Sequence, residues 1–263
     1  MFPRLLTGAA LCLAMLPAAA HKNFLVPSST TLAGGVHWVS VDAARGNDLF
    51  YFNHNAMPVD GLQIVAPDGA HVTPARLERF RHRVVFEFRA SQTGTYRVAV
   101  VDHGLRAAWQ DNGQNRRWMG PAAQYPQAVP QDATELRVSQ IDNRIETFVT
   151  LGAPSDLAPA NKGLEIDYLT HPADWVAHGE ARVRLLLDGK PLAKGKLMVI
   201  RGGTRYRSAL ESATYIAGDD GVMTVRTGPA GLYWMNASTH RPASMAPAKQ
   251  HNLAYTAVVE VLE

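Results

Sequence analysis

The sequence predicts an all-β protein: two antiparallel β-sandwich domains, Ig-like or transthyretin-like, behind a cleaved signal peptide. Three observations carry that prediction. Short apolar runs recur along nearly the whole chain after residue 20. Turn signals separate many of them, among them "PDG" at 67–69, "LDG" at 187–189 and "DDG" at 219–221. No stretch has the 3.6-residue periodicity of a long amphipathic helix. Many short strands with Gly and Pro turns build a sandwich or a barrel.

Residues 1–20 read as the signal. Arg4 is the only charge, Leu5 to Leu16 form an apolar core too short to span a bilayer, and Pro17 ends it. Ala18-Ala19-Ala20 supplies the small residues of a cleavage site. Cleavage there makes His21 the first residue of the working protein; an uncleaved anchor is the alternative. Of 263 residues less 20, 243 remain, and the single cysteine, Cys12, leaves with the signal. A disulfide, a cysteine nucleophile and a thiolate metal site are thereby excluded. Loss of Arg4 takes the formal charge from +3 to +2, too little to attract nucleic acid. No later segment approaches a membrane span, so a periplasmic location is expected.

The strands follow in order. The first domain, 21–157, contains "VHWVSVDA" (36–43), "DLFYFNH" (48–54), "GLQIVAP" (61–67), "RVVFEFRA" (83–90), "TYRVAVVD" (95–102) and "RIETFVTLG" (144–152). The second, 158–263, contains "LEIDYLTH" (164–171), "ARVRLLLDG" (181–189), "KLMVIRGG" (196–203), "GVMTVRTG" (221–228), "GLYWMNAS" (231–238) and "AYTAVVEVL" (254–262). In "ARVRLLLDG", Val183 and Leu185 point one way and Arg182 and Arg184 the other. In "DLFYFNH", alternation places Phe50, Phe52 and His54 on one face. "GTYRVAV" and "GLYWMNA" share Gly-x-Tyr at a strand start, the pattern of a tyrosine corner or of an ordinary hairpin. "GAPSDLAPANKG" (152–163) has the composition of a linker. Residues 103–135, with Trp109, Arg116, Arg117, Trp118 and Tyr125, read as a long irregular loop that covers a sheet edge or stacks a ligand.

"HKNFLVPSST", "VDAARGNDLFYFNH", "APDG", "GTYRVAVV", "DNGQNRRWMG", "ETFVTLG", "GLEIDYLTHPADW", "RLLLDGKP", "GGTRYR" and "GLYWMNAS" occur in an order that resembles a family of bacterial periplasmic proteins labelled a domain of unknown function. That family is described as resembling the periplasmic component of nickel or cobalt uptake systems. The resemblance implies a two-part β protein linked to metal handling. His21, His54 and His171 match positions where the family has histidine. His103 and His251 stand where Asn and Arg are expected, and Asn53 stands where Asp is usual, which removes a carboxylate.

The residues themselves nominate a metal site. An N-terminal histidine closes a chelate on one ion through its α-amine and Nδ1, and a second imidazole adds a third nitrogen, a set that suits Cu(II) and also Ni(II). The free amine and imidazole have ordinary pKa values of about 7.7–8.0 and about 6.5, so both deprotonate readily. His54 is the expected partner of His21, with His171 as the outside candidate. Otherwise His21 is a solvated strand start and His54 a turn histidine. "THPADWVAHGE" also holds Asp174, His178 and Glu180, and 239–251 holds His240, Met245 and His251, in spacings that match no tight motif. There is no GxSxG, P-loop or dinucleotide fingerprint. The expected function is a periplasmic, non-enzymatic binder of a divalent transition metal (nickel, cobalt, copper or iron) or a metal complex, supporting uptake or trafficking with a membrane transporter. The rivals are a copper-dependent oxidase with the same chelate and a structural or carbohydrate-binding module.

Overall fold

The computed structural model describes residues 21–263; the segment read as a signal lies outside them. In chain order the strands are β1 (Lys22–Pro27), β2 (Thr31–Leu32), β3 (His37–Gly46), β4 (Asn55–Ala56), β5 (Leu62–Val65), β6 (Arg76–Arg79), β7 (Arg83–Ala90), β8 (Gly94–Asp111), β9 (Gln114–Gly120), β10 (Thr134–Leu151), β11 (Leu164–Tyr168), β12 (Glu180–Leu187), β13 (Lys190–Pro191), β14 (Lys196–Arg201), β15 (Ala213–Ile216), β16 (Val222–Arg226), β17 (Gly231–Pro242) and β18 (Gln250–Val261). One helical turn, α1 (Tyr125–Ala128), and three short 3-10 turns complete the described residues. None of their helices is long and apolar enough to cross a membrane.

Two hydrophobic cores form because strands with one apolar face must bury it against another sheet. In the first half, β1-β3-β7-β6, with β4 beside β3, packs on β5, β8 and β10 through Leu25, Val41, Phe86, Phe88, Val98 and Val149. In the second half, β11, β12, β13 and β16 pack on β14, β17 and β18 through Ile166, Val183, Leu185, Met235, Tyr255 and Trp175. Alternation along β12 is as expected: Val183 and Leu185 are buried, Arg182 exposed.

The second layer of both halves is one continuous nine-stranded sheet, in the order β15-β14-β17-β18-β10-β8-β5, with β2 beside β10 and β9 beside β8. Its seam is the parallel pair β10–β18, from Ser139 opposite Gln250 to Thr147 opposite Val258. Two fully separate antiparallel sandwiches would end at two sheet edges here; parallel pairing joins them and removes both edges.

The Gly-x-Tyr echo is a true repeat. The Tyr96 hydroxyl accepts from the amides of Ser91 and Gln92, at 3.0 and 2.9 Å. The Tyr233 hydroxyl accepts from Gly228 and donates to Pro229 O. Gly94 and Gly231 both sit at φ 130°, a conformation that other residues avoid.

Residues 103–135 are not irregular. β8 and β10 each run 18 residues, and β9 folds back on β8 from Leu105–Gly120 to Asp111–Gln114. The resulting three-stranded arm has its own small core of Leu105, Ala107, Tyr125 and Val129, with Trp118 edge-on to Tyr125 at 6.0 Å. The long loop that composition suggested is therefore mostly strand, its aromatics consumed in packing.

Candidate functional site

β1 and β3 run antiparallel with Lys22 opposite Gly46, so His21 emerges where β3 ends. β4 pairs with the same end of β3, Asn55 opposite Arg45, and brings in His54. The link between them, residues 47–54, is a bend and not the expected strand. Phe50 has φ 64°, which breaks the alternation, although Phe50 and Phe52 both contact Phe24. The link folds tightly over Gly46: a Cβ there would lie 2.6 Å from both Asp48 O and Tyr51 O. Asn53 fastens it by accepting from Asn47 N and donating to Asp48 Oδ2, the second of which an aspartate would not do.

The result is contact between the two nominated rings. His21 and His54 stack with centroids 3.5 Å apart and planes 7° from parallel. His21 is exposed and His54 half-buried. Asn55 Nδ2 lies 3.2 Å from His54 Nε2, and as a donor it makes that nitrogen the acceptor. Withdrawal from water, then the neighbouring His21, Arg45 and His82, hold the His54 pKa below the ordinary imidazole value. His54 is therefore biased toward the neutral form that ligates metals. A ligated metal lies near the plane of each ring, so two parallel rings cannot share one ion; binding requires one ring, most simply the exposed His21, to turn. The stack sacrificed is worth about 1 kcal/mol.

His82, on the turn between β6 and β7, is the neighbour that sequence reasoning passed over. Its Nδ1 lies 2.8 Å from the backbone oxygen of His54, where it donates and steadies the presenting segment. Its partner is distant in sequence, and only the pairing of β3 with both β4 and β7 brings it close. Among the described residues no group of three His, Cys, Asp or Glu side chains is placed to hold a metal. From the sequence, the third donor expected at this pair is the His21 amine.

His171 lies beyond the other end of β1, against Thr95 near the β2–β10 pairing. Its Nδ1 accepts from Ala173 N, leaving Nε2 to donate to Thr95 Oγ1 at 3.0 Å. Burial lowers its pKa against the pull of Asp174. Nδ1 caps a 3-10 turn and Nε2 holds Thr95, so both nitrogens are engaged and the structure does not join His171 to the His21–His54 pair. Glu180 pairs with Arg226, and the His178 amide donates to Gly228 O; neither converges on His171.

His103 and His251 meet at Asp142. His103 Nδ1 is 2.7 Å from Asp142 Oδ1, and His251 Nε2 is 2.9 Å from Asp142 Oδ2, though not aligned as a hydrogen bond. Arg241 Nε donates to His251 Nδ1 and its Nη1 pairs with Asp188. This chain of contacts crosses β8, β10, β18 and β17 and ties the two halves together.

The sequence matches the domain-of-unknown-function family DUF4198 over residues 18–241. The chain belongs to the DUF4198 family. Among curated proteins none matches this DUF4198 chain. Among solved structures it is similar to the D0-D1 domain of intimin, at 12% identity and TM-score 0.23, over 91% of this chain and 97% of that one. It is also similar to an Escherichia coli alpha-2-macroglobulin activated by porcine elastase, at 11% identity and TM-score 0.22, over 92% of this chain and 20% of that one. The fold of this DUF4198 protein is defined by its own sheets.

Proposed function

We propose that this DUF4198 protein is exported to the periplasm, begins there at His21, and binds a divalent transition metal through the His21 amine, the His21 ring and the His54 ring, in support of metal uptake or trafficking. The observation that carries the reading is the stacking of two imidazoles from segments 33 positions apart at the open end of β3. A nitrogen-only set without a carboxylate favours Cu(II), then Ni(II), over Co(II) and iron.

The test starts from protein whose first residue is verified as His21 by N-terminal sequencing. It is titrated calorimetrically with Cu(II), Ni(II), Co(II) and Zn(II). One added alanine before His21 and the variant His54→Ala should each weaken Cu(II) binding by more than the roughly 10–100-fold that loss of an outer-shell partner costs. Equal affinity in all three proteins refutes the site.

One observation favours a second reading, a copper-dependent oxidase using the same chelate: His21 is exposed to solvent rather than recessed. Ascorbate-driven oxygen uptake by the copper-loaded protein, abolished by the added alanine, is its signature.

A further inference from the structure

A cavity of about 390 Å³ lies away from the histidine pair, between the β5–β8 face of the nine-stranded sheet and the linker. Small-molecule sites occupy roughly 300–1,000 Å³. Its walls are largely apolar: Val65, Ala66, Pro67, Ala99, Leu157 and Ala158. Arg97 and Arg144, from adjacent strands, also line it. Their side chains are only 12% and 13% exposed.

The charges there do not balance. Both arginines face Glu146, at 3.8 Å from Arg97 Nε and 3.2 Å from Arg144 Nη1, and the Tyr255 hydroxyl also donates to that carboxylate. The next carboxyl, Glu165, is pushed toward its neutral form by burial; its Oε2 accepts from Ala160 N, while its Oε1 has no partner. Two permanent cations thus share one carboxylate in direct contact with both, the other carboxylate on the cavity, Asp156, being exposed.

The hydrogen bonds do not balance either. A guanidinium has five N–H donors. Arg97 spends one on Ala158 O, at 3.0 Å, and its buried Nε has no acceptor, the Glu146 oxygen lying too far for a hydrogen bond. The face of Phe148, 5.8 Å away, backs the guanidinium. That Nε is sealed from solvent against Glu146, whereas Nη2 makes no hydrogen bond among the described residues and is the donor that lacks an acceptor. Gln63, His71 and the exposed carboxylate of Asp156 complete the lining. Asp156 disfavours polyanions and leaves room for one negative group directed at the arginines.

We infer that this cavity binds a small organic carboxylate, its carboxylate on Arg97 and Arg144 and its apolar body against the walls. Carboxylate is the partner whose two oxygens match a guanidinium fork. The site is independent of the metal reading and survives its failure.

The test uses the chain from His21 onward, titrated calorimetrically with hexanoate, benzoate, 1-hexanol and inorganic phosphate. Hexanoate or benzoate should bind at least tenfold more tightly than hexanol and phosphate, and Arg97→Met should lower that affinity at least tenfold. Ala158→Phe, which fills the cavity from the linker side and leaves both arginines, should do the same and decides the matter if Arg97→Met does not fold. Hexanol binding as tightly as hexanoate would reduce the cavity to an apolar hole. Phosphate binding as tightly would replace the organic ligand with an inorganic anion. Either result overturns the inference, as does no carboxylate binding at 10 mM-scale concentrations or full affinity in Ala158→Phe.

Discussion

Replacing Glu146 by glutamine should destabilise both halves of the molecule at once. Glu146 is 1% exposed and sits on β10 between β8 and β18, opposite Ala99 on one side and Ala257 on the other. Its carboxylate accepts from Tyr255, whose hydroxyl lies 2.9 Å from that of Tyr168, and neutralises Arg97 and Arg144. Both tyrosines are fully buried, and burial drives their pKa values well above the ordinary phenol value, so they remain neutral donors. Glutamine keeps the shape but leaves two guanidiniums without a counter-ion. Breaking a buried ion pair costs about 3–5 kcal/mol, and the slight exposure of the arginines places this case near the lower figure. At about 2–4 °C per kcal/mol for a chain of this size, Tm should fall by roughly 6–12 °C. Tyr255→Phe removes one hydrogen bond to a charge and should cost about 2 kcal/mol. Urea denaturation followed by far-UV and tryptophan signals is the assay, and the shared sheet requires the two signals to move together. A Glu146→Gln cost below about 1 kcal/mol, or below that of Tyr255→Phe, would refute the charge accounting on which the carboxylate site also rests.

Three further outcomes follow from the geometry and the proposed chelate. His54 has a pKa held below about 6.5, so its proton is absent from the folded state in a window where the unfolded chain carries it. Its contribution to stability is therefore fully present above about pH 6.5 and is lost as pH falls through the depressed folded value, an acid sensitivity that thermal melts of His54→Gln should lack. Copper affinity should fall about tenfold per pH unit below the amine pKa of about 7.7–8.0, as calorimetry across that range will show. The twin glycines should differ. Gly94→Ala meets the Pro67 Cβ at 2.5 Å on top of its φ strain, whereas Gly231→Ala meets nothing within 4 Å. Gly231→Ala should cost about 1–3 kcal/mol from strain alone and Gly94→Ala distinctly more, as chemical denaturation of the pair will show; equal costs would refute the clash.

What was legible in the sequence divides along physical lines. Alternation in β12 and β7 is a local signal, because an antiparallel strand with one wet face writes its burial every second residue. The seam between β10 and β18 joins residues more than a hundred positions apart, and no local pattern names the partner. A trace of it was present: "AYTAVVEVL" is apolar almost without interruption, and Tyr255 to Val259 are all buried, as in strands covered on both faces. "DLFYFNH" misled because its apolar alternation is real, while Phe50 in a left-handed conformation and the closure over Gly46 turn it into a bend. The His21–His54 juxtaposition was reached through donor chemistry, because the strand order that makes it cannot be read from spacing.

The surroundings of that pair restrict what it can hold. Arg45 and His82 add positive potential, and the loop carboxylate nearest in sequence, Asp48, is already engaged by Asn53. On the proposed reading, such a field disfavours hard cations such as Mg²⁺ and Ca²⁺, which bind through oxygen. Only a metal whose bonds to nitrogen outweigh both the repulsion and the broken ring stack can enter, and that preference rises toward copper along the divalent series. On the proposed metal reading, the crowding of imidazoles at one strand end, with Asn53 and not a carboxylate next to His54, favours nitrogen selectivity over general cation affinity.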